Sequence, residues 1–243
     1  MNLFRLFKHV SLIDEPVSLE NQLSYDKELS KQIHKDGFIV RFWSTDGLIF
    51  GKMDTLLPQF EKGLKHISGL KINTFIRKAG GLAVVCDRGI LNLSILFSKD
   101  HPEIGGLDES YAFGVNLMKH LLQDYHMPIE EGEVSASYCP GKYDLSVRGK
   151  KFAGMAQYRS KDAVMVMITI CVSGNQSHRC ELIRDFYKLA NPLMDPKYPE
   201  IDLNSMVTLS DITNKPLTVH ALKENMTQIL RKSGIIVNPK KHM

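Results

Sequence analysis

The sequence predicts an α+β fold with a mixed, largely antiparallel β-sheet flanked by helices. Three observations predict it. Short β-branched and aromatic runs bounded by glycine turns recur between Phe38 and Val172, and amphipathic segments at helical spacing interrupt them. The two kinds of segment do not follow the regular βαβ order of a parallel sheet. With 243 residues and 43% hydrophobic content the chain suffices for one large domain. That domain is expected to run over 1–243, with 204–243 as the one stretch that reads as a small helical extension.

In chain order, Pro16-Val17-Ser18 opens a helix expected over about Leu19–Lys35, with Leu19, Leu23, Leu29 and Ile33 on its buried side and Gly37 as its stop. Phe38–Trp43 reads as a strand, and Asp46-Gly47 as a hairpin-type turn into a second strand, Leu48–Phe50. Pro58 starts a short helix ending near Gly69. Strands follow at Asn73–Arg77, Leu82–Cys86 and Ile90–Phe97, joined by Gly80-Gly81 and Asp87-Arg88-Gly89. Asp108 is the expected cap of an amphipathic helix to about Asp124, through Tyr111, Val115, Met118 and Leu122. Further strands are expected at Val134–Tyr138, Leu145–Val147, Lys151–Gln157 and Val164–Val172. Cys180–Ala190 reads as helix, the proline-rich Asn191–Leu203 as loop, and Thr218–Lys232 as a last helix closed by Gly234.

Composition narrows the function. The net charge of +4 is spread along the chain, and the longest basic cluster, Pro239–His242, sits at the C-terminus, so no nucleic-acid partner is expected. The first residues alternate apolar with basic types and lack the apolar run of a signal peptide. No stretch approaches the ~20 apolar residues of a membrane span, so no membrane association is expected either. The four cysteines form no CxxC pair, which suits reduced thiols in a cytoplasmic protein. His178 and Cys180 lack further ligands at suitable spacing, so no metal and no cofactor is expected.

Two segments carry chemistry. In the first, Gly80-Gly81 lies between apolar runs, where adjacent glycines permit positive φ and close approach to the backbone. Arg77 and Asp87 put charges at element ends, where binding residues commonly sit. Asn92 and Ser94 share one face of their strand, as a solvent face or a pocket wall. In the second, Cys139 precedes a rigid Pro140-Gly141 turn at an element edge. Lys150 and Lys151 must point to opposite faces of a strand, so one faces whatever that strand covers. The small Ala153 and Gly154 leave room for a thin ligand against the backbone. A thiol near a permanent cation is how a protein makes a thiolate nucleophile at neutral pH. Cys171 and Cys86 also read as buried hydrophobes, and Cys180 as incidental. A cysteine protease finds no partner motif around His66, His101, His120, His126, His178 or His220.

The run Arg77-x-x-Gly80-Gly81-x-Ala83-Val84, with Asp87, Asn92 and Ser94, resembles the signature of the lipoate–protein ligase and octanoyltransferase superfamily, relatives of biotin–protein ligase. ATP-using ligases typically carry a third glycine and a His-Asp pair, where this chain has Leu82 and Cys86. The longer spelling, and Ser137-Tyr-Cys139-Pro-Gly141 followed by Gly149-Lys-Lys151-Phe-Ala-Gly154, is most similar to one branch, the octanoyl-[H protein]:protein N-octanoyltransferases. The likeness covers roughly 38–174.

The resemblance implies a ligase-type catalytic domain and an amide exchange without ATP. Cys139 would take the octanoyl group from the lysine of the glycine-cleavage H protein as a thioester. It would then pass it to the lysine of a lipoyl domain of a 2-oxoacid dehydrogenase E2 subunit. It also implies that Lys151 contacts the acyl carbonyl, lowers the thiol's pKa and serves as general acid. Gly80, Gly81, Ala83, Ala153 and Gly154 would line the acyl slot, with Arg77, Asp87 and Asn92 as further substrate-binding residues. The competing readings are transfer from octanoyl-acyl-carrier protein to H protein, an ATP-dependent lipoate ligase, and a non-catalytic lipoyl-domain binder.

Overall fold

The computed structural model describes residues 3–14, 21–77, 80–233 and 236–237. Strands β1 (His9–Ile13), β2 (Gly37–Trp43), β6 (Ile90–Ser98), β7 (Glu130–Glu131), β8 (Leu145–Val147), β9 (Lys150–Arg159), β10 (Ala163–Cys171) and β11 (Ile236–Val237) form an eight-stranded sheet in the order β11-β1-β2-β6-β10-β9-β8-β7. Its β11/β1 and β1/β2 pairs are parallel and the rest antiparallel. A second sheet of three strands, β4 (Thr74–Ile76), β3 (Gly47–Phe50) and β5 (Val84–Cys86), lies in the order β4-β3-β5. The α+β class is therefore as expected.

Strand alternation assigns each face of the large sheet. Leu91, Leu93, Ile95 and Phe97 of β6, with Val164, Val166, Ile168 and Ile170 of β10, pack in one cluster with α3 (Leu107–Leu121) and α6 (Val219–Lys232). The helices contribute Phe113, Leu117, Leu121, Leu222, Met226 and Leu230 to that cluster. Leu96 and Met165, on the other face, meet Leu29 of α1 (Gln22–Lys31). The small sheet builds its own cluster with α2 (Phe60–Gly69) and α4 (Gln176–Ala190), in which Phe50, Phe60 and Phe186 interlock. A short helix, α5 (Leu209–Thr213), carries a capping box between Thr208 and Asp211.

Several expectations need correction. Asp46-Gly47 is no hairpin, because β2 already pairs on both edges and β3 belongs to the other sheet. Gly80-Gly81 does not join neighbouring strands either: β4 and β5 lie on opposite edges of β3, so the segment crosses over it. Val134–Tyr138 is irregular, held by backbone bonds from Ser137 to Val134 and from Asp202 to Ala136. Asp108 sits in the first turn of α3 but does not cap it; its carboxylate accepts from Tyr143 and Lys142. Gly37 is the first residue of β2, and the first helix begins at Gln22. Pro16–Leu19, the Leu23 side chain, Gly234 and the 239–242 cluster lie outside the described residues. Strands β1, β7 and β11 and helix α5 had no counterpart in the sequence reading.

Candidate active site

The two chemistry-bearing segments meet between the sheets. Cys139 adopts φ of 48°, a left-handed conformation that non-glycine residues rarely take. Its half-buried sulfur accepts from the Leu82 N–H at 3.1 Å and the Arg77 guanidinium at 3.7 Å. The same Arg77 nitrogen also donates to the Leu82 carbonyl at 3.1 Å, so guanidinium, loop and thiol form one closed unit. Gly81, at φ of 88°, makes it fit: a Cβ there would stand 2.6 Å from the Arg77 nitrogen and 3.1 Å from the sulfur. Gly51 lets the Gly81 carbonyl pack against its backbone, where a Cβ would overlap it.

Lys151 is buried, with 2% of its surface exposed, whereas Lys150 faces solvent. A β-bulge turns it inward. Leu145 and Ser146 of β8 pair with Ala153 and Lys151 of β9, so Phe152 is the extra residue. Phe152 and Ala153 consequently both enter the α3/α6 cluster, while Lys151 comes round to the face of Gly154. The ammonium then meets Asp144 Oδ1 at 3.0 Å, the Tyr138 carbonyl at 3.2 Å and the Cys139 carbonyl at 2.6 Å. Gly154 leaves space for it, since a Cβ would sit 3.1 Å from Nζ. Burial raises the Asp144 pKa, opposed by Lys151 and by backbone N–H donors including that of Gly141. The Lys151 backbone pairs with 205–207, accepting from Val207 and donating to Ser205.

A recess opens at this point, lined by Arg77, Val84, Tyr138, Cys139, Lys151, Gly154, Ala156, Met167 and Thr169 among others, with about 390 Å³ of space including its mouth. A second, of about 450 Å³, shares Arg77, Val84, Met167 and Thr169 with it and continues to Trp43, Ile49, Phe75 and Asn92. Asn92 accepts from Thr169 at 2.8 Å, and Ser94 accepts from Trp43 at 2.9 Å. Both polar residues of β6 are therefore buried in a wall and not exposed on a solvent face.

Of the residues singled out in the sequence, Cys139, Arg77, Gly81, Lys151 and Gly154 come together, and Asn92 lines the adjoining recess. Ala83 is fully buried beside them, its N–H on the Tyr187 hydroxyl. Gly80 is exposed with open space where a side chain would be. Asp87 is held by both arms of Arg179, at 2.8 and 2.6 Å, and ties the β5–β6 turn to α4. Ala153 points to the opposite side of the sheet, into the core. Three participants went unnoticed in the sequence: Asp144, the Leu82 N–H and the Asp54–Tyr187 pair that anchors the glycine loop. Asp144 had a signal, because a lysine on an apolar strand needs an acidic partner once buried. Among the described residues no cluster of three or more His, Cys, Asp or Glu could hold a metal ion. Among them, too, no helix is long and apolar enough to cross a membrane.

The lipoyl protein ligase A/B catalytic domain model matches residues 18–231. The octanoyl-[GcvH]:protein N-octanoyltransferase of Anoxybacillus flavithermus is 35% identical over 97% of this chain and 86% of its own length. Its counterpart from Staphylococcus aureus is 32% identical over 93% and 84%. In fold, the chain is similar to lipoate-protein ligase A crystallised with ATP, with a TM-score of 0.71 at 17% identity over 98% of this chain and 90% of that one.

Proposed function

Since the chain belongs to the octanoyl-[GcvH]:protein N-octanoyltransferases of the lipoyl protein ligase A/B family, we propose that it moves an octanoyl group from the lysine of H protein to the lysine of E2 lipoyl domains, through a thioester on Cys139. The observation that carries the reading is the half-exposed Cys139 sulfur at the mouth of a narrow recess, faced by two donors.

The sulfur attacks the amide carbonyl of the octanoylated donor lysine, a C–S bond forms, and the C–N bond then breaks. The proton given up by the thiol is the one the departing amine takes, so the half-reaction balances without an outside acid. The second half-reaction is its reverse with a new amine: the lipoyl-domain lysine forms the C–N bond and the thiol is regenerated. One amide is made for each one broken, and the exchange needs no ATP.

The acyl chain lies in the two joined recesses, against Val84, Met167 and the backbone at Gly154. At about 0.8 kcal/mol per buried methylene the chain supplies most of the binding free energy. The exchange takes place in the cytoplasm, where the four free cysteines stay reduced.

The test is to mix enzyme, octanoylated H protein and unmodified lipoyl domain without ATP. Octanoyl is expected to appear on the lipoyl domain, and not with the Cys139→Ser variant. Transfer that needs ATP, or that survives loss of the thiol, would end this reading.

A further inference from the structure

The cation that serves the Cys139 sulfur has two claimants, Arg77 and Lys151, and the geometry separates them. An ammonium carries three N–H donors. Those of Lys151 are matched by Asp144 Oδ1 and by the carbonyls of Tyr138 and Cys139. Its charge is thus spent on a buried carboxylate and on the backbone that carries the nucleophile. A guanidinium has five donors in a rigid fork and keeps its charge under all conditions at which the protein folds. Arg77 uses one nitrogen on both the Leu82 carbonyl and the Cys139 sulfur. It is 9% exposed, so the charge acts with little screening by solvent.

The placement is built by the fold. The Arg77 N–H donates to the Phe50 carbonyl at 2.8 Å, which fixes the residue at the end of β4. The missing side chain of Gly81 leaves the guanidinium and the sulfur the space in which they meet. The Leu82 N–H, 3.1 Å from the sulfur, completes a two-donor cradle whose other half is the carbonyl that Arg77 grips.

We propose that Arg77 is the catalytic cation of the thiol, holding Cys139 as a thiolate ready to attack, and that Lys151 is a positioning residue for the backbone of Cys139. The assignment deepens the amidotransferase reading and rests on it for the identity of the electrophile. The thiolate itself can be examined without any acyl donor.

The experiment is the pH dependence of Cys139 alkylation by iodoacetamide, in the intact chain, for wild type, Arg77→Gln and Arg77→Lys. A cation within a few ångströms favours the charged form of a titrating group by about one pH unit or more. The Arg77→Gln profile is therefore expected to move upward by about that much. Arg77→Lys is expected to fall between, since one ammonium cannot bridge the carbonyl and the sulfur as the fork does. Should the glutamine variant fail to fold, the lysine profile decides alone. A profile that stays on the wild-type curve overturns the assignment, even if octanoyl transfer is intact. Displaced profiles without octanoyl transfer by the wild type would uphold the assignment of Arg77 and overturn the substrate reading instead.

Discussion

Lys151 and Asp144 are a buried pair with 3% and 1% of their side chains exposed. Removing one charge from such a pair leaves the other uncompensated, at a cost of about 3–5 kcal/mol, whereas replacing both by apolar or neutral groups is often close to neutral. Asp144→Asn is thus expected to destabilise strongly, and Asp144→Asn with Lys151→Met to recover most of that loss in a urea titration. The double variant still lacks the bonds to the Tyr138 and Cys139 carbonyls, so its octanoyl transfer is expected to stay depressed. Equal stability of the single and double variants would contradict the buried-pair account. Much of the site at this scale is legible in the sequence, because cysteine before Pro-Gly and lysine before a small-residue step are local patterns. The acid partner of the lysine and the partner of the thiol are not, since both come from other elements. Phe152 hides a bulge that alternation alone reads as a regular strand, and Ala153 was accordingly expected on the wrong face for a slot.

At the scale of elements, the glycine loop is anchored from below by α4. Tyr187 donates to Asp54 at 2.7 Å while its oxygen accepts the Ala83 N–H at 3.4 Å. Asp54 is fully buried, and burial pushes its pKa up to about 6 against the lowering influence of Tyr187, Gly51 and Arg77. The folded state therefore holds this proton more tightly than the unfolded chain, whose carboxyl titrates near ~3.9. Its contribution to stability is complete below about pH 4 and is lost as the pH rises through about 6. Asp54→Asn abolishes that dependence. The stability of the variant relative to wild type is expected to improve by about 3 kcal/mol between pH 4 and pH 7, read from urea unfolding at both values. A difference that does not change with pH would refute the assignment. Periodicity identified β2, β6, β10, α3 and α6 well, because each carries a strong repeat along one face. Pairing is a non-local property, and so the turns at Gly47 and Gly80-Gly81 were misread as hairpins. Val134, Ala136 and Tyr138 alternate like a strand, yet their backbone is held by the loop at Asp202. The basic residues of the N-terminus masked β1, whose only sequence sign is the short run His9–Ile13.

At the scale of the whole molecule, the C-terminal region bears on the site. Residues 205–207 bond along the Lys151 backbone, and Leu209, Leu222, Met226 and Leu230 share a cluster with both halves of the large sheet. We propose that the chain folds as one unit in which 204–243 is part of the core. A chain ending at residue 203 would expose that cluster, and it is expected to yield no cooperatively unfolding protein by circular dichroism; a truncated chain that melts cooperatively would show the region to be an appendage. The account as a whole rests on the acyl-enzyme. The most direct measurement is intact-protein mass after mixing with octanoylated H protein in the absence of ATP. An octanoyl adduct is expected on wild type, removed by hydroxylamine and mapped by peptide mass to Cys139. Octanoyl reaching a lipoyl domain with the same rate in Cys139→Ser, or an adduct mapped to another residue, would contradict it.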